Sequence, residues 1–370
     1  MPPISLLIKP ASSACNMNCK YCFYHAIANN RLNAFQGMLS VENLEMIVKE
    51  VMETAEGYCS FGFQGGEPTL RGLDFFRQLL EFQKKYNRKK LKVHNAIQTN
   101  GMLIDDEWAE FLAQNRFLVG LSIDGPEEIH NMNRTTKDGK DSFNRVMKAA
   151  RIMEKHGVEF NILCVITGRG ARSIEKIYNF FKRQGFRYLQ FIPCLEPLES
   201  ERGTADYSLG ADEFGQFLIR LFDLWYRDLT NGEYISIRHI DNLIALVCGR
   251  QPELCSMVGH CTIQYVVEGD GGVYPCDYYV FDQWRLGTLG KETLDEMRQS
   301  EKARRFIEDS LIIPEKCKAC VHLPICRNGC RRDRLMDNGC INYYCDAWKA
   351  FFDYAVPKLR HAAMLLHQGR

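Results

Sequence analysis

No stretch of this 370-residue chain is apolar over a length that could cross a bilayer, for which about twenty consecutive apolar residues are needed. Neither sign of charge prevails: 47 Lys and Arg stand against 46 Asp and Glu, a net charge of +1. Such a balance lacks the strong positive field that an obligatory nucleic-acid partner or a strongly acidic substrate would call for. The N-terminus, Met1-Pro2-Pro3-Ile4-Ser5, has no basic region leading into an apolar run. No secretory signal is therefore visible, no membrane contact is expected, and the expected location is cytoplasmic.

Cysteine is what the chain has in excess, with 16 residues. In a cytosolic protein of this size they point to metal or redox chemistry rather than to disulfides. They are clustered, with three in 15–22, three in 255–276 and six in 317–345. The remaining four, Cys59, Cys164, Cys194 and Cys248, lie in or near apolar segments and read as small buried hydrophobes. The first group, Cys15-x3-Cys19-x2-Cys22, follows the apolar run Ile4–Ile8. Three thiolates so close together suit a soft metal or an iron–sulfur cluster. A structural zinc would want a fourth ligand, for which His25 is the only nearby candidate. Three cysteines on a cluster of four irons leave one iron free for a small molecule.

Residues 1 to about 200 alternate strand-like and helix-like segments. The strand candidates are Ile4–Ile8, Tyr58–Phe63, Lys92–Thr99, Phe117–Ile123, Glu159–Ile166 and Tyr188–Ile192. Helical periodicity follows over Val41–Ala55, Gly72–Tyr86, Asp105–Gln114, Asp141–His156, Ser173–Gln184 and Asp212–Leu229. Ser40, Asp105, Asp141 and Ser173 stand where N-caps are expected. Six βα units in a row imply a parallel sheet, since parallel strands need crossovers. The expected fold is α/β, a partial (β/α)6 barrel, with an open six-stranded parallel sheet as the alternative. In either form ligands bind at the C-terminal strand ends. The cysteine loop, Gln64-Gly65-Gly66-Glu67-Pro68, Thr99-Asn100-Gly101 and Ser122-Ile123-Asp124-Gly125-Pro126 all fall at those ends.

The run Cys-x3-Cys-x-Tyr-Cys followed by Gly-Gly-Glu-Pro resembles the radical S-adenosylmethionine (SAM) superfamily over residues 4 to about 195. The resemblance implies that Cys15, Cys19 and Cys22 hold a [4Fe–4S] cluster whose open iron takes the methionine end of SAM. It also implies that Tyr21, Gly66, Ser122, Arg134 and Leu195 contact SAM. Arg134 suits the methionine carboxylate because a guanidinium pairs bidentately with one. A reduced cluster cleaves SAM to a 5′-deoxyadenosyl radical, which removes an unactivated hydrogen, and a dry pocket protects such a species.

Beyond residue 200, Glu196–Gly210 reads as a connector and Asp212–Leu229 as a packing helix. Thr262–Glu268 is strand-like, Gly269-Asp270-Gly271-Gly272 is a hairpin turn signal and Val273-Tyr274 a return strand. Taken alone, Cys317-x2-Cys320 suits a zinc ribbon. The longer pattern, Cys261-x9-Gly271-x4-Cys276 with Cys317-x2-Cys320-x5-Cys326-x3-Cys330 and a last Cys, resembles the SPASM extension of certain radical SAM enzymes. That resemblance implies two auxiliary [4Fe–4S] clusters, one on Cys255, Cys261, Cys276 and Cys330 and the other on Cys317, Cys320, Cys326 and Cys345. Cys340 competes for the last position, but Cys345 follows the aromatic pair Tyr343-Tyr344 that precedes that ligand in the family. The expected division is a radical SAM barrel over 1–200, a connector and packing helix over 201–250, a SPASM domain over 251–350 and a C-terminal helix over 351–370, with Asp346–Leu366 helix-like.

Lys9-Pro10-Ala11-Ser12-Ser13-x-Cys15, Cys22-Phe23-Tyr24, Phe63 to Leu70, Gln98-Thr99-Asn100-Gly101 and Tyr274-Pro275-Cys276-Asp277 together resemble the anaerobic sulfatase-maturating enzymes, over nearly the full length. With the first strand expected at Ile4–Ile8, the N-terminal leader-binding domain of many peptide-modifying SPASM enzymes is not expected here. The resemblance implies oxidation of a Cys, or a Ser, in a sulfatase to Cα-formylglycine. It makes Asp277 the base that takes the thiol or hydroxyl proton, and Tyr24 a candidate contact of the target residue. It also implies an unfolded sulfatase polypeptide with a Cys/Ser-x-Pro-x-Arg motif as partner, and flavodoxin or ferredoxin as electron donor. The rival readings are a SPASM maturase that forms thioether or carbon–carbon crosslinks, and an iron–sulfur electron carrier without enzymatic activity.

Overall fold

The structure, a computed structural model, describes residues 3–198, 200–335 and 339–368. Met1 and Pro2 of the N-terminal stretch and Glu199 of the connector lie outside the described residues. The six expected strands are all present: β1 Ile4–Ile8, β2 Tyr58–Phe63, β3 Lys92–Thr99, β4 Leu118–Ser122, β5 Phe160–Ile166 and β6 Tyr188–Pro193. Four shorter strands follow: β7 Ser236–Ile237, β8 Val266–Val267, β9 Gly272–Tyr274 and β10 Gly287–Thr288. The chain divides into two compact units. One contains Met1–Ser122, Asn131–Phe160 and Thr262–Phe306; the other contains Ile123–His130, Asn161–Cys261 and Ile307–Arg370.

In the first unit the strand order is β10-β9-β8-β1-β2-β3-β4. β1 to β4 are parallel, and β8 joins β1 in parallel with Leu7 opposite Val266 and Ile8 opposite Val267. β8, β9 and β10 are antiparallel. The parallel pairing follows from the crossover helices Val41–Thr54, Leu73–Tyr86 and Asp106–Gln114. Alternate residues of β2, Cys59, Phe61 and Phe63, are buried. Phe63 meets Phe76 edge to face at 5.1 Å, and Phe76 meets Trp108 and Phe117 in the same way. Such aromatic pairs add to the burial of their area. A second cluster, Ile27, Val266, Tyr274 and Val280, packs the 23–29 helix against the hairpin.

In the second unit β5, β6 and β7 are parallel. The helices Ala211–Thr230 and Cys345–Gln368 lie side by side. They pack through Phe214 on Trp348 at 5.5 Å and Phe222 on Phe351 at 5.9 Å. The C-terminal helix extends one residue before and two after the stretch expected.

Some local expectations are corrected. Ser40 and Asp105 do cap their helices, accepting from the backbone N–H of Asn43 and Trp108. Asp141 caps nothing; its helix starts at Phe143, with Ser142 at the cap position, and the Ser142 hydroxyl donates to the Arg134 carbonyl instead. Ser173 stands at a cap position without a side-chain cap bond. Of Thr262–Glu268 only Val266–Val267 is strand, because Tyr265 has a left-handed φ of 48° that breaks the extended run. Cys59, Cys164 and Cys194 are buried as expected, whereas Cys248, just past the helix Arg238–Val247, is exposed.

Two outcomes follow. Ser40→Ala is expected to lower stability by about 1 kcal/mol and Ser173→Ala to leave it nearly unchanged, read as shifts in the urea unfolding midpoint. His239 stacks on Trp348 with ring centroids 5.3 Å apart, and its Nε2 is buried without a hydrogen-bond partner. Burial, then the neighbouring Arg238 charge, depresses its pKa to about 4. The unfolded chain therefore takes up a proton that the folded one refuses, so stability falls as pH drops from about 6.5 toward 4, by about 3 kcal/mol at most. Urea titrations at pH 7 and pH 5 should show this loss diminished in His239→Phe.

Candidate active site

The cysteine loop leaves β1 and returns under β2. The Gly66 φ is +54°, and a Cβ there would lie 2.2 Å from the Ala14 carbonyl oxygen and 2.7 Å from that of Ser12. Only glycine allows the loop this close to the strand end. Glu67, next in the chain, donates its backbone N–H to the Ala14 carbonyl at 2.8 Å. Its buried carboxylate accepts from Thr69 Oγ1 (2.6 Å), Thr99 Oγ1 (2.8 Å) and the Asn100 backbone N–H (2.8 Å). Burial raises its pKa, against those hydrogen bonds. Asn100 in turn donates to Asn16 Oδ1 at 2.7 Å and lies 3.7 Å from Cys15 Sγ. The sequence motifs point to a shared site but do not show that Glu67 and Asn100 brace the loop itself. The available signal is their position at adjoining parallel strand ends.

On the other side of the loop, Asn18 and Lys20 donate backbone N–H groups to the carbonyls of Thr135 and Asn133. That pairing brings Arg134 over the loop, with its guanidinium 5.5 Å from the centre of the Tyr21 ring and Nη1 4.0 Å from Cys19 Sγ. Arg134 is buried rather than a solvated surface charge. Ser122, at the end of β4, accepts from Gln98 Nε2 at 2.9 Å. Leu195 lies in the second unit just beyond β6 and is half-buried. Burial pushes the Cys15 thiol up to about 11 and raises that of Cys22 as well.

Asp277 stands directly after Cys276, beyond the end of β9, in the first unit. Its Oδ2 accepts from the Tyr24 hydroxyl at 2.5 Å and from Gln64 Nε2 at 3.3 Å, while Gln64 also donates to the Tyr24 oxygen at 2.8 Å. Its Oδ1 is buried without an aligned hydrogen bond, although the Lys9 ammonium lies 3.2 Å away. Burial, then the Asp277 charge, holds the Tyr24 hydroxyl well above its ordinary pKa, so it acts as a neutral donor.

In the second unit Cys317, Cys320, Cys326 and Cys345 line one cavity of about 320 Å³ with Lys316, Lys349 and Phe352. Cys340 does not line it; its carbonyl accepts from Asn328 Nδ2 at 2.9 Å, and its φ is left-handed at 62°. Among the described residues no group of three or more His, Cys, Asp or Glu is set to hold a single metal ion. Cys255, Cys261 and Cys330 also belong to this unit, and the first two thiols raise the pKa of the third, after burial and Asp333. Arg334, which no sequence motif marks, donates to the carbonyls of Ser310 (2.6 Å), Gly259 (3.1 Å), Gly329 (3.0 Å) and Asn328 (3.2 Å). One buried guanidinium thereby ties two of the segments that carry these cysteines, at Gly259 and at Asn328–Gly329, to Ser310.

Comparison with known proteins agrees with this geometry. Residues 10–181 match the radical SAM superfamily, and residues 255–321 match an iron–sulfur cluster-binding domain, SPASM. The chain is 51% identical over 366 residues to the cysteine-type anaerobic sulfatase-maturating enzyme of Clostridium perfringens (strain 13 / Type A), covering 98% of this chain and 99% of that one. The chain belongs to the anaerobic sulfatase-maturating enzymes. The serine-type enzyme of Bacteroides thetaiotaomicron is 35% identical over 375 residues, covering 96% of this chain and 90% of its own. A solved structure of native anSMEcpe with bound AdoMet and Cp18Cys peptide matches with a TM-score of 0.95 at 49% identity, over 99% of this chain and 100% of that one. The fold is therefore the radical SAM α/β fold with a SPASM extension.

The residues fit the cofactors of such an enzyme. Four thiols around one cavity suit the ligation of an iron–sulfur cluster. The close seat of Gly66 under the loop suits a backbone that must approach a ligand. Gly66→Ala is expected to push the Cys15 loop off the end of β2 and lower the iron and sulfide retained after anoxic reconstitution by about one cluster's share, as measured by chemical iron and sulfide analysis.

Proposed function

We propose that this chain oxidises a cysteine of a sulfatase polypeptide to Cα-formylglycine. The observation that carries the reading is the buried Asp277, one residue from Cys276, gripped on one oxygen by Tyr24 and Gln64 while the other makes no hydrogen bond. A general base needs such a fixed carboxylate within reach of the substrate proton, and here the second oxygen lies beside the Lys9 ammonium at 3.2 Å. When bound, SAM and the clusters supply hydrogen-atom abstraction from the target Cβ and take up the electron left behind.

In this reading Cys15, Cys19 and Cys22 hold the cluster that engages SAM, and Tyr21, Gly66, Ser122, Arg134 and Leu195 surround SAM. Arg134 meets its carboxylate. Cys255, Cys261, Cys276 and Cys330 hold the first auxiliary cluster, and Cys317, Cys320, Cys326 and Cys345 the second. The cavity shared by the last four supports that set and leaves Cys340 out of it. Asp277 takes the thiol proton. The resulting thioaldehyde exchanges sulfur for oxygen with water and releases hydrogen sulfide. Tyr24 orients Asp277, since its hydroxyl is spent on that carboxylate.

Cysteine is the preferred target, because cysteine-type relatives are 45–51% identical to this chain and serine-type relatives only 28–35%. The partner is a sulfatase segment of the Cys/Ser-x-Pro-x-Arg type, presented unfolded, with flavodoxin or ferredoxin supplying the electron. Among the described residues no helix is long and apolar enough to cross a membrane. The sixteen cysteines form no disulfide, and a reducing cytoplasm would keep them available for clusters.

Anoxic reaction with SAM, dithionite and a Cys-x-Pro-x-Arg peptide should give the mass of the formylglycine product. Loss of only two hydrogens would instead mark a crosslinking maturase, and no 5′-deoxyadenosine would mark an electron carrier. Asp277→Asn should still cleave SAM while formylglycine formation falls by about 10²-fold or more.

A further inference from the structure

Two cations and two carboxylates are buried together beside Tyr24. Lys9 follows β1 and Glu268 follows β8, and the parallel register of those strands makes the two residues neighbours. Lys9 is 2% exposed, Glu268 1%, Asp277 6% and Arg31 9%. The Lys9 ammonium lies 3.2 Å from Asp277 Oδ1, 3.9 Å from Glu268 Oε1 and 4.1 Å from the centre of the Tyr24 ring. Its stem runs over Gly65, where a Cβ would lie 2.8 Å from Lys9 Cγ and 2.9 Å from Cε. The lysine is thus held on a fixed track with two carboxylates competing for its head. Arg31 decides the competition. Its Nη1 binds Glu268 Oε1 at 2.6 Å and its Nη2 donates to the Ala34 carbonyl at 2.8 Å. Glu268 therefore has its own direct, charge-assisted partner, and Lys9 is left closer to Asp277.

We propose that Arg31 is a positioning residue for the reaction: by neutralising Glu268 it keeps Lys9 on Asp277, and Lys9 holds the base in register with its substrate. The inference rests on the reading of Asp277 as the base. Without Arg31, the buried Glu268 carboxylate has Lys9 as its remaining ion-pair partner. An uncompensated buried charge is strongly unfavourable, so the ammonium shifts toward Glu268 and Asp277 loses its counter-charge. SAM cleavage, which uses none of these four side chains, continues, but fewer radical events end in product.

The measurement is formylglycine formed per 5′-deoxyadenosine, on reconstituted full-length protein with the Cys-x-Pro-x-Arg peptide. Arg31→Met should lower this ratio about tenfold while 5′-deoxyadenosine formation stays within about twofold of the parent. The double variant Arg31→Met/Glu268→Met removes both the guanidinium and the competing carboxylate, and should bring the ratio back toward the parent. A merely structural Arg31 would lower both products together and show no such rescue. An unchanged ratio in Arg31→Met, or a double variant no better coupled than the single one, overturns the proposal. Should the single variant fail to fold, a double variant that folds yet stays uncoupled overturns it equally. Asp277→Asn runs alongside: if it couples normally, the base reading fails, whereas a defective Asp277→Asn with no rescue in the double variant sinks the Arg31 proposal alone.

Discussion

Lys9 follows β1 directly, where almost no water reaches it. An ammonium is tolerated there only because carboxylates from distant parts of the chain converge on it, Asp277 at 3.2 Å and Glu268 at 3.9 Å. The sheet must therefore be extended past β1 by β8, the β8–β9 hairpin must end near the cysteine loop, and Gly65 must leave room for the lysine stem. Each requirement falls on a different stretch of sequence, and all are met within one compact unit. The charge cluster is costly to break, which makes it a stiff support for the carboxylate it holds.

The cysteines divide by their surroundings. Cys15, Cys19 and Cys22 lie on a loop pressed against a strand end by Gly66, braced by Asn100 and covered by Arg134. Cys317, Cys320, Cys326 and Cys345 face one cavity built of short turns. In the proposed reading the first arrangement leaves a coordination position to a small molecule, whereas the four thiols of the second share one cavity. Arg334 does for the second unit what Glu67 does for the first: one buried charged side chain gathers backbone groups from several segments. Rigidity of this kind suits radical chemistry, in which a misplaced group turns a committed reaction into a wasted one.

The four long parallel strands of the first unit and their crossover helices are legible in the chain itself, because apolar periodicity is a local signal. So are the cysteine groups, since spacing along the chain is itself the motif, and Asp277 stands out by adjacency to Cys276. Local patterns mislead where local signals conflict. Thr262–Glu268 is rich in strand-forming residues, yet the left-handed Tyr265 ends the run. Asp141 and Ser173 have cap chemistry, but their helices begin in ways that leave those side chains no N–H to accept.

The sequence by itself determined the succession of strands and helices, the cysteine sets and the family to which they belong. Only the tertiary structure decided which charges are buried and against what. Arg31 and Glu268 look like ordinary surface charges when read singly, and more than 230 positions separate them. Their meaning comes from desolvation, which no local pattern records. A charge becomes expensive, and therefore specific in its partner, only once the fold has closed over it.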